Sequence, residues 1–281
     1  MAQTLERGMN DRIRRLRKLS TETQPHIYME RAVLETEAYQ MYEGKVSVPE
    51  LRALVLKHFF SHKKLYIGED ELIVGEKGDY PQSAPTFPEL CCHTLEDMHN
   101  MNDRSVVNFT VTEKDLKVQE EQIIPYWEER SMRHRILSSM TEEWKEAYAA
   151  GIFTEFMEQR GPGHTVGSVK LYEKGYLDYQ EDIKESLDKL DYQNDPEALN
   201  KRDQLNAMYI ACDAIMILGK RYGELARQMA AECTDETRRK ELLQIAANCD
   251  VVPAHKPETF YQAIQTYWFT HLAVTTELNP W

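Results

Sequence analysis

The stretch 203–232 constrains the fold more than any other part of the chain. Its apolar residues recur at steps of four, three, seven and seven: Met208, Cys212, Ile215, Tyr222 and Met229. This spacing places them on one side of an α-helix, where they need another surface to cover them. We therefore predict a long helix with one face in the core, rather than a cofactor-binding motif.

Helical patterns cover most of the remaining chain. Further helices are predicted at 4–19, at 28–42, after the Ser47-Val48-Pro49-Glu50 capping box, at 235–248, and from Pro257 through the aromatic residues that follow it. Gly44 has the position of a helix-ending glycine, and the predicted helix starts are Thr112, Thr141 and Asp195-Pro196. Two short apolar runs, 71–75 and 106–111, predict strands. The sequence thus predicts a mainly α chain with a few short strands.

Composition narrows the class of protein. The 281 residues carry a net charge of −13, which disfavours binding to a nucleic-acid backbone. No apolar run approaches the roughly 20 residues that span a bilayer, and the N-terminal arginines are not followed by the apolar core of a secretory signal. Five scattered cysteines without a CxxC pair argue against a disulfide framework or a structural zinc site. We expect a cytoplasmic protein that binds neither nucleic acid nor membrane.

Two histidine pairs are weak candidates for a metal site. His58 and His62 lie four residues apart on a predicted helix, but no glutamate occupies the position that a zinc-protease motif requires. His93 and His99 flank an acidic turn, which is more simply a solvated loop. An independent metal-binding enzyme built on these histidines is therefore a minor alternative, and no metal is expected.

The loop in EFMEQRGPGHTVGS, residues 155–168, has two interpretations. Gly161 and Pro162 can simply end a helix, because glycine accepts the required backbone conformation and proline prevents continuation. That interpretation explains neither His164 nor the aromatic Phe156. An imidazole on a rigid loop beside an aromatic ring can instead hold a small polar ligand. Spacing alone leaves both interpretations open.

Five segments together resemble the N-terminal region of the glycyl radical enzymes, the pyruvate formate-lyase-like superfamily. They are ERAVLETEAY, ELIVGEKGDYPQSAPTFPELCCHTLEDM, GIFTEFMEQRGPGHTVG, CDAIMILGKRY and CDVVPAHKPETFYQAIQTYWFTHLAVTTELN. The resemblance extends over nearly the whole chain, and PTFPELCCHT and EFMEQRGPGHTV are similar to the hydroxyproline dehydratase group. It implies the N-terminal part of an α/β barrel architecture over residues 1–281, with the first barrel strand near 71–75 and the C-terminal radical domain absent.

The resemblance also implies a reaction and its partners. These enzymes eliminate water from an alcohol by radical chemistry, and the hydroxyproline group forms pyrroline-5-carboxylate. An S-adenosylmethionine iron–sulfur activating enzyme installs the glycyl radical in the full enzyme, so no cofactor is expected on this chain. By position, His164 matches a pocket residue that can hydrogen-bond or protonate the leaving hydroxyl, and Phe156 matches an apolar wall of the substrate site.

The sequence departs from the family pattern at the radical-carrying residues. It contains neither the Gly-Cys-x-Glu motif of the thiyl cysteine nor the Arg-Val-x-Gly motif of the radical glycine. Cys91-Cys92 is adjacent as in pyruvate formate-lyase, but PELCCHT matches an N-terminal loop of the dehydratases instead. The very apolar ending, TYWFTHLAVTTEL, adds to the expectation of a piece of a longer protein.

We therefore expect an N-terminal portion of a glycyl radical dehydratase that is inactive alone. Its expected partners are a small amino acid or alcohol, the activating enzyme, and a C-terminal half or a homodimer partner. The alternative is a non-catalytic truncated or split-gene product that binds a complementary C-terminal half or a partner enzyme. The substrate stays open between hydroxyproline, a diol and another alcohol or amine.

Overall fold

Helices dominate the structure, as the sequence predicts. The computed structural model describes residues 10–153 and 166–278. The helices in these ranges are α1 (Asp11–Glu22), α2 (Glu30–Tyr42), α3 (Val48–His62), α4 (Leu95–Asp103), α5 (Glu113–Val118), α6 (Ile124–Trp127), α7 (Met132–Ser139), α8 (Glu142–Ala149), α9 (Lys170–Glu173), α10 (Tyr176–Asp188), α11 (Ala198–Glu232), α12 (Glu236–Val251) and α13 (Phe260–Leu278). A π-helical turn, Gln119–Ile123, joins α5 to α6.

The long helix α11 organises the core. It packs against α3, α10 and α12, and it also touches α13. The predicted apolar face is largely confirmed, because Cys212, Ile215 and Tyr222 are buried, whereas Met208 is about half exposed. Tyr222 packs near Phe269 of α13, with 5.7 Å between the ring centroids. The main buried cluster therefore joins α11 to α3, α12 and α13.

Helix ends follow the predicted local chemistry. Thr112 and Thr141 each accept a backbone N–H at the start of a helix. Ser47 donates from its backbone and hydroxyl to Glu50, as in a capping box. Gly44 adopts φ +73° just after α2. The final helix begins at Phe260 rather than at Pro257, because the Thr259 hydroxyl accepts the N–H of Gln262.

The strands differ from the prediction. Two three-residue strands, β1 (His26–Tyr28) and β2 (Ser83–Pro85), pair in parallel with Ile27 opposite Ala84. Within 106–111, only Thr110 takes part in pairing, through an isolated bridge to His26. The predicted strand 106–111 is wrong because Val107 has φ +54°, which breaks the extended path.

Residues 71–75 form no β-strand in the described structure either. This segment is buried at Val74 and Gly75, as expected of a core strand, but side chains of α13 satisfy its backbone hydrogen bonds. An apolar run indicates burial, and it cannot show whether a neighbouring strand supplies the hydrogen bonds.

Among the described residues, no helix is both long and apolar enough to cross a membrane.

Candidate functional site

The two predicted site residues, Phe156 and His164, lie outside the described residues. The structure instead gives the two flanks of their loop. On the upstream side, Phe153 contacts the rings of Trp144 and Tyr148, with centroids 5.1 Å and 5.7 Å away. An aromatic cluster on α8 therefore fixes the point where the chain enters the loop.

The downstream flank of the loop is fixed against the final helix. Val166 is buried, and Gly167 turns the chain with φ +74° next to Leu171 of α9. Helix α9 contacts α13. A little further on, the Tyr176 hydroxyl donates to Thr270 Oγ1 of α13 at 2.9 Å. The described residues that follow position 165 therefore contact α13, through α9 and Tyr176.

Helix α13 also holds the irregular segment 72–76 by side-chain hydrogen bonds. Gln265 pairs with both backbone groups of Val74: its Nε2 donates to the carbonyl at 2.8 Å, and its Oε1 accepts the N–H at 2.9 Å. Gln265 and Val74 are almost completely buried. One turn earlier on the same helix, the Tyr261 hydroxyl donates to the Leu72 carbonyl. These contacts replace the ladder that a neighbouring strand would provide.

Three more side chains close the other end of the same segment, and two of them, Tyr222 and Lys63, are buried. Trp268 Nε1 donates to the Gly75 carbonyl at 2.7 Å, and the Glu76 N–H donates to the Tyr222 hydroxyl at 3.1 Å. Lys63, which is only 2% exposed, donates from Nζ to the Glu76 carbonyl at 2.5 Å. Burial lowers the pKa of Lys63 to about 8 and raises the pKa of Glu76 to about 7. The segment is thus held rigidly between α3, α11 and α13.

A buried ionic cluster lies at the C-terminal end of α13. Arg31 of α2 is 2% exposed and contacts Glu89 at 2.7 Å and Glu35 at 3.1 Å. Its Nε donates to the Thr276 carbonyl at 3.0 Å, and its guanidinium lies 3.7 Å from the Phe87 ring centroid. We call these five residues the Arg31 cluster. It ties α2, the loop after β2 and the last turn of α13 together.

The charge states of the Arg31 cluster suit a structural role. Burial, reinforced by the nearby Glu89 carboxylate, raises the pKa of Glu35 even though Arg31 opposes the shift. Desolvation acts to lower the pKa of Arg31, but the carboxylates outweigh it and the net pKa is raised. A second pair, Arg52 with Glu277, extends the cluster along α13. The adjoining cavity has a volume of about 10 Å³, which leaves no room for a substrate.

A larger cavity, of about 720 Å³, opens between β2, the loop after it and α13. Its size falls within the range of small-molecule sites. Phe87, Cys91 and Trp268 contribute to its wall, and Lys77 lines it. Within the described part of the chain, the Lys77 ammonium has no ion pair, and burial lowers its pKa. This cavity can accept a polar or anionic group.

Ser83, His26 and Asp79 lie together but do not form a hydrolytic triad. Ser83 Oγ is 3.1 Å from His26 Nε2, and Asp79 Oδ1 approaches the same nitrogen at 3.6 Å. A triad needs the carboxylate on the other ring nitrogen. The Ser83 hydroxyl instead donates to the Tyr80 carbonyl at 2.5 Å, which stabilises the turn before β2.

The other sequence candidates have local partners. His62 Nδ1 lies 2.8 Å from the His58 carbonyl, and His58 Nε2 lies 3.3 Å from Glu37. Across residues 10–153 and 166–278, no three His, Cys, Asp or Glu side chains are grouped to hold a metal ion. Burial raises the pKa of Cys92 to about 12, so this thiol is a poor thiolate donor near neutral pH.

The sequence did not predict the two hydrogen bonds between Gln265 and Val74, nor most of the Arg31 cluster. The Arg31–Glu35 pair was readable, because an arginine and a glutamate four residues apart share a helix face. Glu89 and Thr276 come from distant parts of the chain, and a glutamine on an apolar helix carries no signal of its partner. Only the aromatic density of the final helix indicated that this element is central.

Comparison of the fold with solved structures defines the class of protein. The structure superimposes with a TM-score of 0.93 on hydroxyproline dehydratase from Clostridioides difficile crystallised with trans-4-hydroxy-L-proline, at 57% identity over 98% of this chain and 35% of that one. It superimposes with a TM-score of 0.88 on the glycerol-bound B12-independent glycerol dehydratase from Clostridium butyricum, at 30% identity over 97% of this chain and 35% of that one. The fold is that of part of a glycyl radical enzyme.

Sequence comparison gives the family. The family model described as pyruvate formate lyase-like matches residues 9–280, and the chain belongs to this family. Trans-4-hydroxy-L-proline dehydratase of Clostridioides difficile is 57% identical over 277 residues, which are 99% of this chain and 35% of that protein. The chain thus spans about a third of the length of these relatives.

Proposed function

We infer that this chain is the N-terminal third of a glycyl radical dehydratase that removes water from trans-4-hydroxy-L-proline to give pyrroline-5-carboxylate. The observation that carries the proposal is the 57% identity to the substrate-bound dehydratase, maintained over 98% of this chain with a TM-score of 0.93. Glycerol dehydratase shares the fold at 30% identity, so fold alone favours no substrate.

Under this proposal, the chain supplies one wall of the substrate pocket. His164 hydrogen-bonds the leaving hydroxyl or protonates it as water departs, and Phe156 forms an apolar side of the site. Support comes from the fixed flanks of their loop, which are the aromatic cluster at Phe153 and the buried Val166.

The chemistry depends on polypeptide that this chain does not span. The full enzyme carries a glycyl radical, which an S-adenosylmethionine iron–sulfur enzyme installs, and a thiyl cysteine that abstracts hydrogen from the substrate. The sequence contains neither motif. The isolated chain is therefore expected to be inactive, and anaerobic treatment with the activating enzyme should give no glycyl radical doublet by electron paramagnetic resonance.

A chimera tests the proposal. This chain replaces the matched third of the Clostridioides difficile dehydratase, whose remaining polypeptide already suits hydroxyproline. After anaerobic activation, the radical is quantified and turnover is measured with trans-4-hydroxy-L-proline and with glycerol. We expect turnover of hydroxyproline. A chimera that carries the radical but leaves hydroxyproline unchanged would place the mismatch in this chain and refute the proposed substrate.

Two histidine variants of the chimera separate chemistry from folding. His164→Ala should lower dehydration at least about 100-fold while radical formation stays within about 2-fold, because general acid assistance acts only on the chemical step. His99→Ala is the matched control, since His99 is exposed on α4. Equal loss of radical and turnover in His164→Ala would mean that His164 is structural.

A further inference from the structure

Helix α13 has two unlike faces. One face packs against the rest of the described structure, and its residues Gln265, Phe269 and Leu272 are each at most 2% exposed. The other face carries residues at steps of four, three, four and three along the helix, and most of them are apolar: Phe260, Ile264, Tyr267, His271 and Val274. We call this set the outer stripe of α13.

The outer stripe has the pattern of a packing surface. Phe260 is 82% exposed, and Ile264 and Tyr267 are each 38% exposed. Alternating steps of three and four form the seam along which one helix packs against another element. Single exposed apolar residues are common, but a continuous apolar stripe usually marks a contact surface.

The stripe is also ordered and carries no permanent charge. The Tyr267 ring stacks on His271 with 6.0 Å between centroids and 9° between planes, and Trp268 stacks on the same imidazole at 5.4 Å. Burial and the nearby Lys77 lower the pKa of His271, so the ring is neutral near neutral pH. Nδ1 of His271 is buried without a hydrogen-bond partner among the described residues, so the exposed part of the stripe is its apolar rings and side chains.

We propose that the outer stripe is the docking surface for the two thirds of the family polypeptide that this chain does not span. The proposal rests on the proposed function, in which this chain is the N-terminal third. The relatives contain that polypeptide, because the matched region is only 35% of each chain. In the N-terminal placement, that polypeptide follows α13 in the chain, and Val274, the last residue of the stripe, lies about one turn before Leu278.

The size and chemistry of the stripe favour this occupant over a small ligand. Five positions along α13, from Phe260 to Val274, extend over about 21 Å at 1.5 Å per residue, which suits a polypeptide element rather than a metabolite. The contacting element should be apolar along its length, to match Phe260, Ile264 and Tyr267. A second copy of this chain is the competing occupant.

Thiol labelling tests the proposal in the chain and in the chimera described above. Tyr267→Cys places a thiol on the stripe, and Leu243→Cys is the control, because Leu243 is 50% exposed on α12. Peptide-resolved mass spectrometry separates these thiols from the five native cysteines. Position 267 should react quickly in the chain alone and about 100-fold more slowly in the chimera, whereas position 243 should react equally in both.

A second measurement does not depend on the chimera folding. Ile264→Asp should weaken association of the chain with the separately produced remaining polypeptide at least about 10-fold, since a carboxylate would be desolvated in the interface. Leu243→Asp should leave association unchanged. Equal binding by both variants, or equal labelling at position 267 in the chain and in the chimera, would refute the docking surface. Protection of position 267 in a dimer of the isolated chain but not in the chimera would assign the stripe to a second copy.

The outcomes separate this inference from the proposed function. Protection at position 267 in a chimera that carries the radical but does not turn over hydroxyproline would retain the docking surface and refute the substrate. Turnover of hydroxyproline without protection would refute the docking surface alone.

Discussion

Gln265→Leu should reveal how strongly α13 holds the irregular segment 72–76. The substitution keeps a side chain of similar size but removes the donor and the acceptor that pair with Val74 at 2.8 Å and 2.9 Å. Gln265 is 1% exposed and Val74 is 0% exposed, so water cannot readily replace either bond. Each unsatisfied backbone group costs about 1–3 kcal/mol, or about 4 kcal/mol for the two together.

The leucine side chain recovers part of this loss through its apolar surface, about 1 kcal/mol. The free energy of unfolding should therefore fall by about 3 kcal/mol, a large fraction of the total stability of a typical domain. Urea titration followed by far-ultraviolet circular dichroism measures the change. The slope of the transition should stay constant, because the substitution does not alter the surface exposed on unfolding.

Gln262→Leu is the matched control on the same helix. Gln262 is 8% exposed, and its Oε1 accepts a single N–H, from Glu258, at 2.8 Å. Its replacement should cost about 1 kcal/mol. If the two variants lose the same stability to within about 0.5 kcal/mol, the bidentate pairing of Gln265 does not hold the segment and the reasoning is wrong.

Three further changes test other buried contacts by the same titration. Arg31→Met should cost about 3–5 kcal/mol, because it leaves two buried carboxylates without their cation, whereas the exposed Arg239→Met should cost at most about 1 kcal/mol. Burial raises the pKa of Glu76 from its usual 4.5 to about 7, so the stability contributed by the protonated side chain is fully present below pH 4.5 and is lost as the pH rises through 7. Glu76→Gln should remove this decline in the free energy of unfolding, which is roughly 2 kcal/mol after allowance for partial exposure. Gly75→Ala should cost more than about 2 kcal/mol, since Gly75 has φ +135° and a Cβ would lie 2.5 Å from a leucine of α13, whereas Gly44→Ala, at φ +73° in open space, should cost about 1 kcal/mol.

Local chemistry explains which parts of the fold the sequence predicts. The long helix around Tyr222 and the capping box of Ser47 and Glu50 depend on residues within a few positions of one another, and both are confirmed. Gly44 is confirmed for the same reason, since a helix-ending glycine needs only its own backbone freedom. Features that depend only on residues close together in the sequence can be predicted without knowing the tertiary structure.

Nonlocal pairing explains what the sequence does not predict. Residues 71–75 have the composition of a buried strand, but their hydrogen-bond partner is Gln265, which lies 191 positions from Val74. Arg31 likewise pairs with Glu89, which is 58 positions away. The roles of Phe156 and His164 stay predictions, because these residues lie outside the described ranges.

Helix α13 links the proposed pocket wall to the rest of the fold. Thr270 Oγ1 on this helix accepts a hydrogen bond from the hydroxyl of Tyr176, which lies a little after the His164 stretch in the sequence. Six residues later, the Thr276 carbonyl accepts a hydrogen bond from Arg31, which fixes the last turn of the helix. The described residues that follow the His164 stretch and the buried Arg31 are therefore held by the same helix. In the chimera, a substitution that shifts this helix should therefore alter turnover of hydroxyproline even when it touches no substrate, since reacting groups must be held to within a fraction of an ångström.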